Sequence, residues 1–96
     1  MKFHLERATD GKHKWIGVFT DEDGHTKHTP FGAVGYQDFT QHKNPLRRAN
    51  YLSRHKSREN WSDYKSAGSL SRHLLWGEST SLQQNVASFK RRFSLA

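Results

Sequence analysis

Hydrophobic and polar residues alternate along the first third of the chain, which is the pattern of β-strands that bury one face. Residues 2–8 and 13–20 have this character, and Asp10-Gly11 and Asp23-Gly24 supply the positive φ angles of tight hairpin turns. Residues 25–31 return as a more polar strand with Pro30, which cannot donate a ladder hydrogen bond and so marks an edge strand or a strand end. The pattern predicts a three-stranded antiparallel meander.

A glycine-bearing connector separates this meander from a region of helical periodicity. The connector covers residues 32–43, and Asn44-Pro45 follows it as a helix start, with Asn as the N-cap and Pro at the first helical position. We predict a first short helix over residues 46–58.

Two further short helices are marked by caps and by an apolar stripe. Asp63 or Ser66 is expected to cap the second helix, which ends before Gly77. Ser79 or Thr80 is expected to cap the third. Apolar side chains recur along the third helix at i, i+4, i+7 and i+11, at Leu82, Val86, Phe89 and Phe93.

The order of elements predicts an α+β fold, with an N-terminal three-stranded antiparallel meander followed by three short helices. The single domain covers residues 1–96 and is divided into the meander (1–31), the connector (32–43) and a helical basic part (44–96). The stripe of the third helix is expected to pack on one sheet face. Strand alternation leaves open whether that face carries Ile16 and Val18 or Trp15 and Phe19.

Composition narrows the class of protein. Apolar residues make up only 32% of the chain, but 12% are aromatic, and each aromatic side chain buries a large area, so a small folded domain is expected. Cysteine is absent, which excludes disulfides, Cys-ligated zinc and thiol catalysis and fits an intracellular protein. We expect no membrane partner, because the chain has neither an apolar run of bilayer length nor a secretory signal.

Positive charge is concentrated in residues 43–96, which contain 11 Lys and Arg against 3 acids, whereas residues 1–42 contain 5 against 6. Net charge governs partners rather than fold, so this asymmetry predicts a polyanionic partner, and we expect nucleic acid, DNA or RNA. Binding would be through phosphate contacts without sequence specificity, because no base-reading motif is present. The candidate nucleic-acid-binding residues are Arg47, Arg48, Arg54, Arg58, Arg72, Lys90, Arg91 and Arg92.

Two other interpretations of these residues stay open. The basic side chains form a solvated face that the meander acids Asp21, Glu22 and Asp23 neutralise, or they bind an acidic protein. Trp61 and Trp76 lie between basic residues, where exposed rings would stack on bases. With so few aliphatic residues, however, we expect both rings to belong to the core.

One pair of residues permits an enzymatic interpretation. His55 and Glu59 are four residues apart and could act as a base beside a metal-binding carboxylate, which makes a metal-dependent nuclease an alternative function. An intrahelical hydrogen bond explains the same spacing. His25 and His28 lack further zinc ligands. We expect that the protein is not an enzyme and that it has no cofactor and no metal site.

A series of short motifs extends from residue 31 to residue 93. They are Phe31-Gly32-Ala33, Gly35-Tyr36, Asp38-Phe39-Thr40, Arg54-His55, Arg58-Glu59-Asn60-Trp61, Ala67-Gly68-Ser69-Leu70-Ser71-Arg72, Leu75-Trp76 and Lys90-Arg91-Arg92-Phe93. In order and spacing these motifs resemble a family of small uncharacterised proteins of large double-stranded DNA viruses. The resemblance implies a viral origin and a location inside the host cell or in the virion. It transfers no catalytic residue, and it adds the alternative of a minor capsid or cement protein that contacts viral structural proteins.

Overall fold

The computed structural model describes residues 1–96 and contains a three-stranded sheet followed by helices. The strands are β1 (Lys2–Arg7), β2 (His13–Thr20) and β3 (Thr26–Ala33), antiparallel and in that order across the sheet. The helices are α1 (Phe39–His42), α2 (Pro45–His55), α3 (Ala67–Leu70) and α4 (Leu82–Arg92), with a π-helical turn at Ser71–Leu75 that continues α3. The predicted α+β fold with an N-terminal antiparallel meander is confirmed.

The turns of the meander follow from their sequences. Gly11 and Gly24 adopt φ angles of 73° and 83°, which residues with a Cβ rarely adopt. Asp10 Oδ1 also accepts hydrogen bonds from the backbone N–H groups of Lys12 and His13. β3 is an edge strand, as Pro30 predicted, and it continues beyond the proline to Ala33.

The helices cover the sheet face that carries Phe19, which settles the choice that strand alternation left open. Seven buried side chains form one hydrophobic cluster, which consists of Phe3, Phe19, Phe31, Leu70, Leu74, Leu75 and Phe89. Gly17, on the same face, permits the close approach of α3, because a Cβ there would lie 2.8 Å from Leu70 Cδ1. The ring centroids of Phe3 and Phe89 are 5.0 Å apart, so the core joins the sheet to α4.

The apolar stripe predicted on the last helix faces this core. Phe89 is buried, and the other stripe residues, Leu82, Val86 and Phe93, are half-buried against the same cluster. None of the helices combines the length and the apolar character needed to cross a bilayer.

The first long helix, α2, ends three residues earlier than predicted. After His55 the chain leaves the α-helix through a tighter turn, in which the Arg58 N–H bonds to the carbonyl oxygen of His55, three residues earlier. Glu59 stabilises this exit by accepting hydrogen bonds from His55 Nδ1 (3.0 Å) and from Trp61 Nε1 (2.8 Å).

The caps of the last two helices are serines. Ser66, one of the two predicted candidates, accepts a hydrogen bond from the Ser69 N–H and caps α3. The prediction for α4 was wrong, because Ser81 is its N-cap rather than Ser79 or Thr80. Ser79 is engaged elsewhere: its N–H and its carbonyl oxygen are both bound by the buried side chain of Asn85.

Candidate nucleic-acid interface

The 11 Lys and Arg side chains of residues 43–96 form no ion pair with a carboxylate. Elsewhere in the chain Lys14 does so, with its Nζ 2.8 Å from Asp38 Oδ2. The meander acid Asp21, expected as a partner of the basic face, lies 3.4 Å from the ring of His25 instead. The Lys and Arg side chains of the C-terminal half therefore have no directly paired carboxylate within the protein, although Glu78 acts on Arg72 at longer range.

A cleft of about 500 Å³ opens between the connector and α2, and it is termed the aromatic cleft. Arg47 and Arg54 line it from the same face of α2, where their spacing of seven residues corresponds to about two helical turns. Tyr36, Tyr51 and Trp76 supply its aromatic surface. Two predicted binding residues are thus brought together beside three aromatic rings.

Three of the rings around the aromatic cleft form a continuous stack, with Tyr51 in the middle. The Tyr51 ring is nearly parallel to that of Trp76, with centroids 4.1 Å apart, and its other face stacks on His55 at 4.1 Å. Burial, and then the nearby negative charge of Glu59, raises the pKa of Tyr51 to about 12, so this side chain is a neutral phenol at physiological pH. Tyr36 is different, because it is 75% exposed and stacks on no other ring.

A partly buried ion pair anchors the connector beneath the aromatic cleft. Lys14 Nζ donates to Asp38 Oδ2 (2.8 Å), to Gln41 Oε1 (2.7 Å) and to the carbonyl oxygen of Tyr36. Asp38 also caps α1 by accepting a hydrogen bond from the Thr40 N–H. Lys14 donates all three ammonium protons within the fold. It therefore holds the backbone of Tyr36 and has no free donor for a phosphate, whereas the arginines do.

A second cleft of about 500 Å³ lies between the π-helical turn and α4, and it is termed the α4 cleft. Arg72, Arg91 and Arg92 line it. The guanidinium carbon of Arg72 lies 5.1 Å from the Trp61 ring centroid, and its Nη1 donates to the Trp76 carbonyl oxygen. Burial, and then the positive charge of Arg48, lowers the pKa of Arg72, although arginine still retains its charge at neutral pH.

Arg48 connects the two clefts by binding the chain between them. Its Nε donates to the carbonyl oxygens of Gly77 (2.9 Å) and Trp76 (3.2 Å), where the π-helical turn ends. Arg48 and Arg72 therefore use part of their donor set to hold the fold. Arg72 Nε is buried and makes no hydrogen bond, so only the outer N–H groups of Arg72 can reach a ligand. The other two predicted residues, Arg58 and Lys90, line neither cleft.

The tryptophans divide between core and surface. Trp15 and Trp76 pack against the buried cluster, as expected for an aromatic-rich core. Trp61 lies half-buried outside that cluster, covered on one side by Arg72, so the prediction that it is a core residue was wrong. Sequence reasoning also missed Tyr36, whose only signal was a large aromatic residue in a glycine-rich connector.

The structure brings His55 and Glu59 together, and Glu59 accepts hydrogen bonds at both carboxylate oxygens. Asp63, the next acidic residue along the chain, is exposed and makes no side-chain hydrogen bond to either residue. Three potential metal ligands come close together at Asp21, Asp23 and His25, on the exposed turn between β2 and β3. This turn lies in the meander and lines neither cleft.

The stability of the protein is expected to fall below about pH 6.5 because of His73. Burial lowers the pKa of His73, whose Nε2 lies 3.2 Å from the Trp61 carbonyl oxygen. When folding lowers the pKa of a histidine, the unfolded state takes up the proton at a higher pH than the folded state does. The contribution of His73 to stability is therefore fully present above the unfolded pKa and is lost as the pH falls through that value. Thermal unfolding followed from pH 7.5 to pH 5 tests this. In His73→Gln the loss should be smaller, and an equal loss in both proteins would contradict the assignment.

The fold and the two clefts define a small α+β protein whose basic side chains in residues 43–96 have no directly paired carboxylate. A family model matches residues 3–55, and the chain belongs to this family, described as a family of unknown function (DUF5754). The match spans the meander, the connector and α2, and so includes Arg47, Arg54 and Tyr36 of the aromatic cleft. No curated protein and no solved structure matches the chain.

Proposed function

We propose that this protein binds nucleic acid through phosphate contacts and does not read base sequence. One observation carries the proposal: the basic side chains of residues 43–96 have no carboxylate partners, and five of the arginines line two neighbouring clefts. Such side chains are available to a polyanion, and binding would be driven by the release of counterions from the phosphates. The five residues are Arg47, Arg54, Arg72, Arg91 and Arg92.

The planar side chain of arginine supports phosphate as the ligand group. A guanidinium presents several N–H donors in a fixed geometry and is weakly hydrated, so it binds phosphate oxygens more specifically than an ammonium does. Arg54 makes no hydrogen bond within the protein, and Arg47 donates one to Gln37 Oε1 at 3.3 Å. Both can therefore turn to a ligand with little loss of internal contacts.

Viral origin belongs to the same proposal. The motif resemblance to proteins of large double-stranded DNA viruses supports it, and it suggests a role on the viral genome in the host cell or in the particle. A minor capsid or cement protein is the competing function, in which the same arginines would contact acidic viral proteins.

A salt series tests the proposal. Fluorescence anisotropy with labelled single-stranded DNA, duplex DNA and RNA of equal length should show binding at low salt to more than one sequence. Five phosphate contacts predict that log affinity falls linearly with log salt with a slope of about −3.5 for single strands. Absence of binding to any of the three at low salt would contradict the proposal and favour an acidic protein partner.

A further inference from the structure

We propose that the aromatic cleft holds one unpaired nucleotide of a single-stranded nucleic acid, with the base stacked on Tyr36 and neighbouring phosphates bound by Arg47 and Arg54. The inference rests on the proposed function and goes further, because it names the form of nucleic acid and the position of a base.

The size of the cleft suits one nucleotide. Its volume of about 500 Å³ lies within the range of about 300–1,000 Å³ that is usual for sites that bind small ligands. Bases inside a duplex are stacked and paired, so none of them can enter a cleft of this kind unless it leaves the stack. The cleft therefore selects single strands, loops or ends over a continuous duplex.

Tyr36 offers the free ring face that a base requires. Both faces of Tyr51 are already covered, by His55 and by Trp76, whereas Tyr36 is 75% exposed. The backbone of Tyr36 is nevertheless held, because its carbonyl oxygen accepts a hydrogen bond from Lys14 Nζ and its N–H bonds to the Ala33 carbonyl oxygen at 3.4 Å. An exposed aromatic ring on an anchored backbone is a stacking platform, and such platforms accept any base.

Charged and polar side chains surround this platform. Arg47 and Arg54 are about 10.5 Å apart along the axis of α2, a spacing that places them at different phosphates of one strand. Asn50 lies between them on the cleft wall, is exposed, and makes no side-chain hydrogen bond. Its amide provides both a donor and an acceptor for a base edge.

The test compares two single strands that differ only in their bases. One is a labelled oligothymidylate. The other has the same length and charge, but every nucleotide is abasic, so that the sugars and phosphates remain and the bases are missing. The wild-type protein should bind the oligothymidylate about 5- to 150-fold more tightly, the range that corresponds to about 1–3 kcal/mol from stacking of one base. Tyr36→Ala should abolish this preference and leave the affinity for the abasic strand unchanged, and Tyr36→Phe should retain it.

Val34→Ala is the matched control, since Val34 is an exposed residue of the same connector that does not line the cleft. It should leave both affinities at the wild-type values. If the wild-type protein binds the two strands equally, or if Tyr36→Ala keeps the preference, the nucleotide cleft is excluded and phosphate binding stands. If neither strand binds at low salt, phosphate binding and the cleft inference both fail.

Discussion

Gly77→Ala is expected to lower the free energy of unfolding by about 3–5 kcal/mol, a large share of the about 5–15 kcal/mol that stabilises a typical domain. A Cβ at this buried position would lie 2.4 Å from the His73 carbonyl oxygen and 2.6 Å from Asn85 Cγ. Neither the His73 carbonyl nor the Asn85 side chain can move away without breaking other contacts. The carbonyl belongs to the backbone of the π-helical turn, and the Asn85 side chain bonds to the Leu74 and Ser79 carbonyl oxygens. Overpacking therefore adds to the loss of buried hydrogen bonds.

Thermal and urea unfolding measure this effect, and the melting temperature should fall by roughly 15 °C or more. Gly24→Ala provides the matched control, because it adds the same methyl group at a turn where nothing lies within 4 Å. There the cost is only that of a non-glycine residue at positive φ, about 1–2 kcal/mol. Equal destabilisation by the two substitutions would show that the region around Gly77 is not packed as described.

Replacement of both Arg47 and Arg54 by Gln is expected to weaken the binding of single-stranded nucleic acid by about 10- to 30-fold, from about 1 kcal/mol for each lost contact with an anionic surface. Glutamine retains helix propensity, and α2 loses only the hydrogen bond from Arg47 to Gln37, so the fold should be unaffected. Fluorescence anisotropy measures the affinity, and circular dichroism checks the helix content.

The control for this variant has the same change in net charge at another place. Lys2 and Lys27 are exposed residues of the meander that line neither cleft, so Lys2→Gln with Lys27→Gln should weaken binding much less. Equal losses in the two double variants would mean that binding responds to total charge rather than to the aromatic cleft.

The predictability of the fold differed between its two halves. The meander was predictable because Asp-Gly turns and strand alternation are local signals, and the sheet has the predicted strand order. The choice of the inner sheet face was not local, since it depends on Gly17 leaving space for Leu70. The early end of α2 was missed for a different reason: Glu59 bonds to His55 and to Trp61, which are close to it in sequence, but helical periodicity does not show these side-chain contacts.

The candidate site shows the same limit. Charge asymmetry identified the basic half from composition alone, but it could not separate Arg47 and Arg54, which line the aromatic cleft, from Arg48, which binds backbone carbonyl oxygens. Tyr36 was not predicted as a site residue because its exposure depends on how Lys14, a residue of β2, holds the connector. Distances between elements, rather than residue types, decide these roles.

The most direct test of phosphate binding at the aromatic cleft is the salt dependence of affinity, measured for the wild-type protein and for the Arg47→Gln, Arg54→Gln variant on the same single strand. Each phosphate contact contributes about 0.7 to the log–log slope for single strands, so loss of two contacts predicts a slope that is less steep by about 1.4. An unchanged slope would mean that these two arginines do not contact phosphates, and it would contradict phosphate binding at the aromatic cleft.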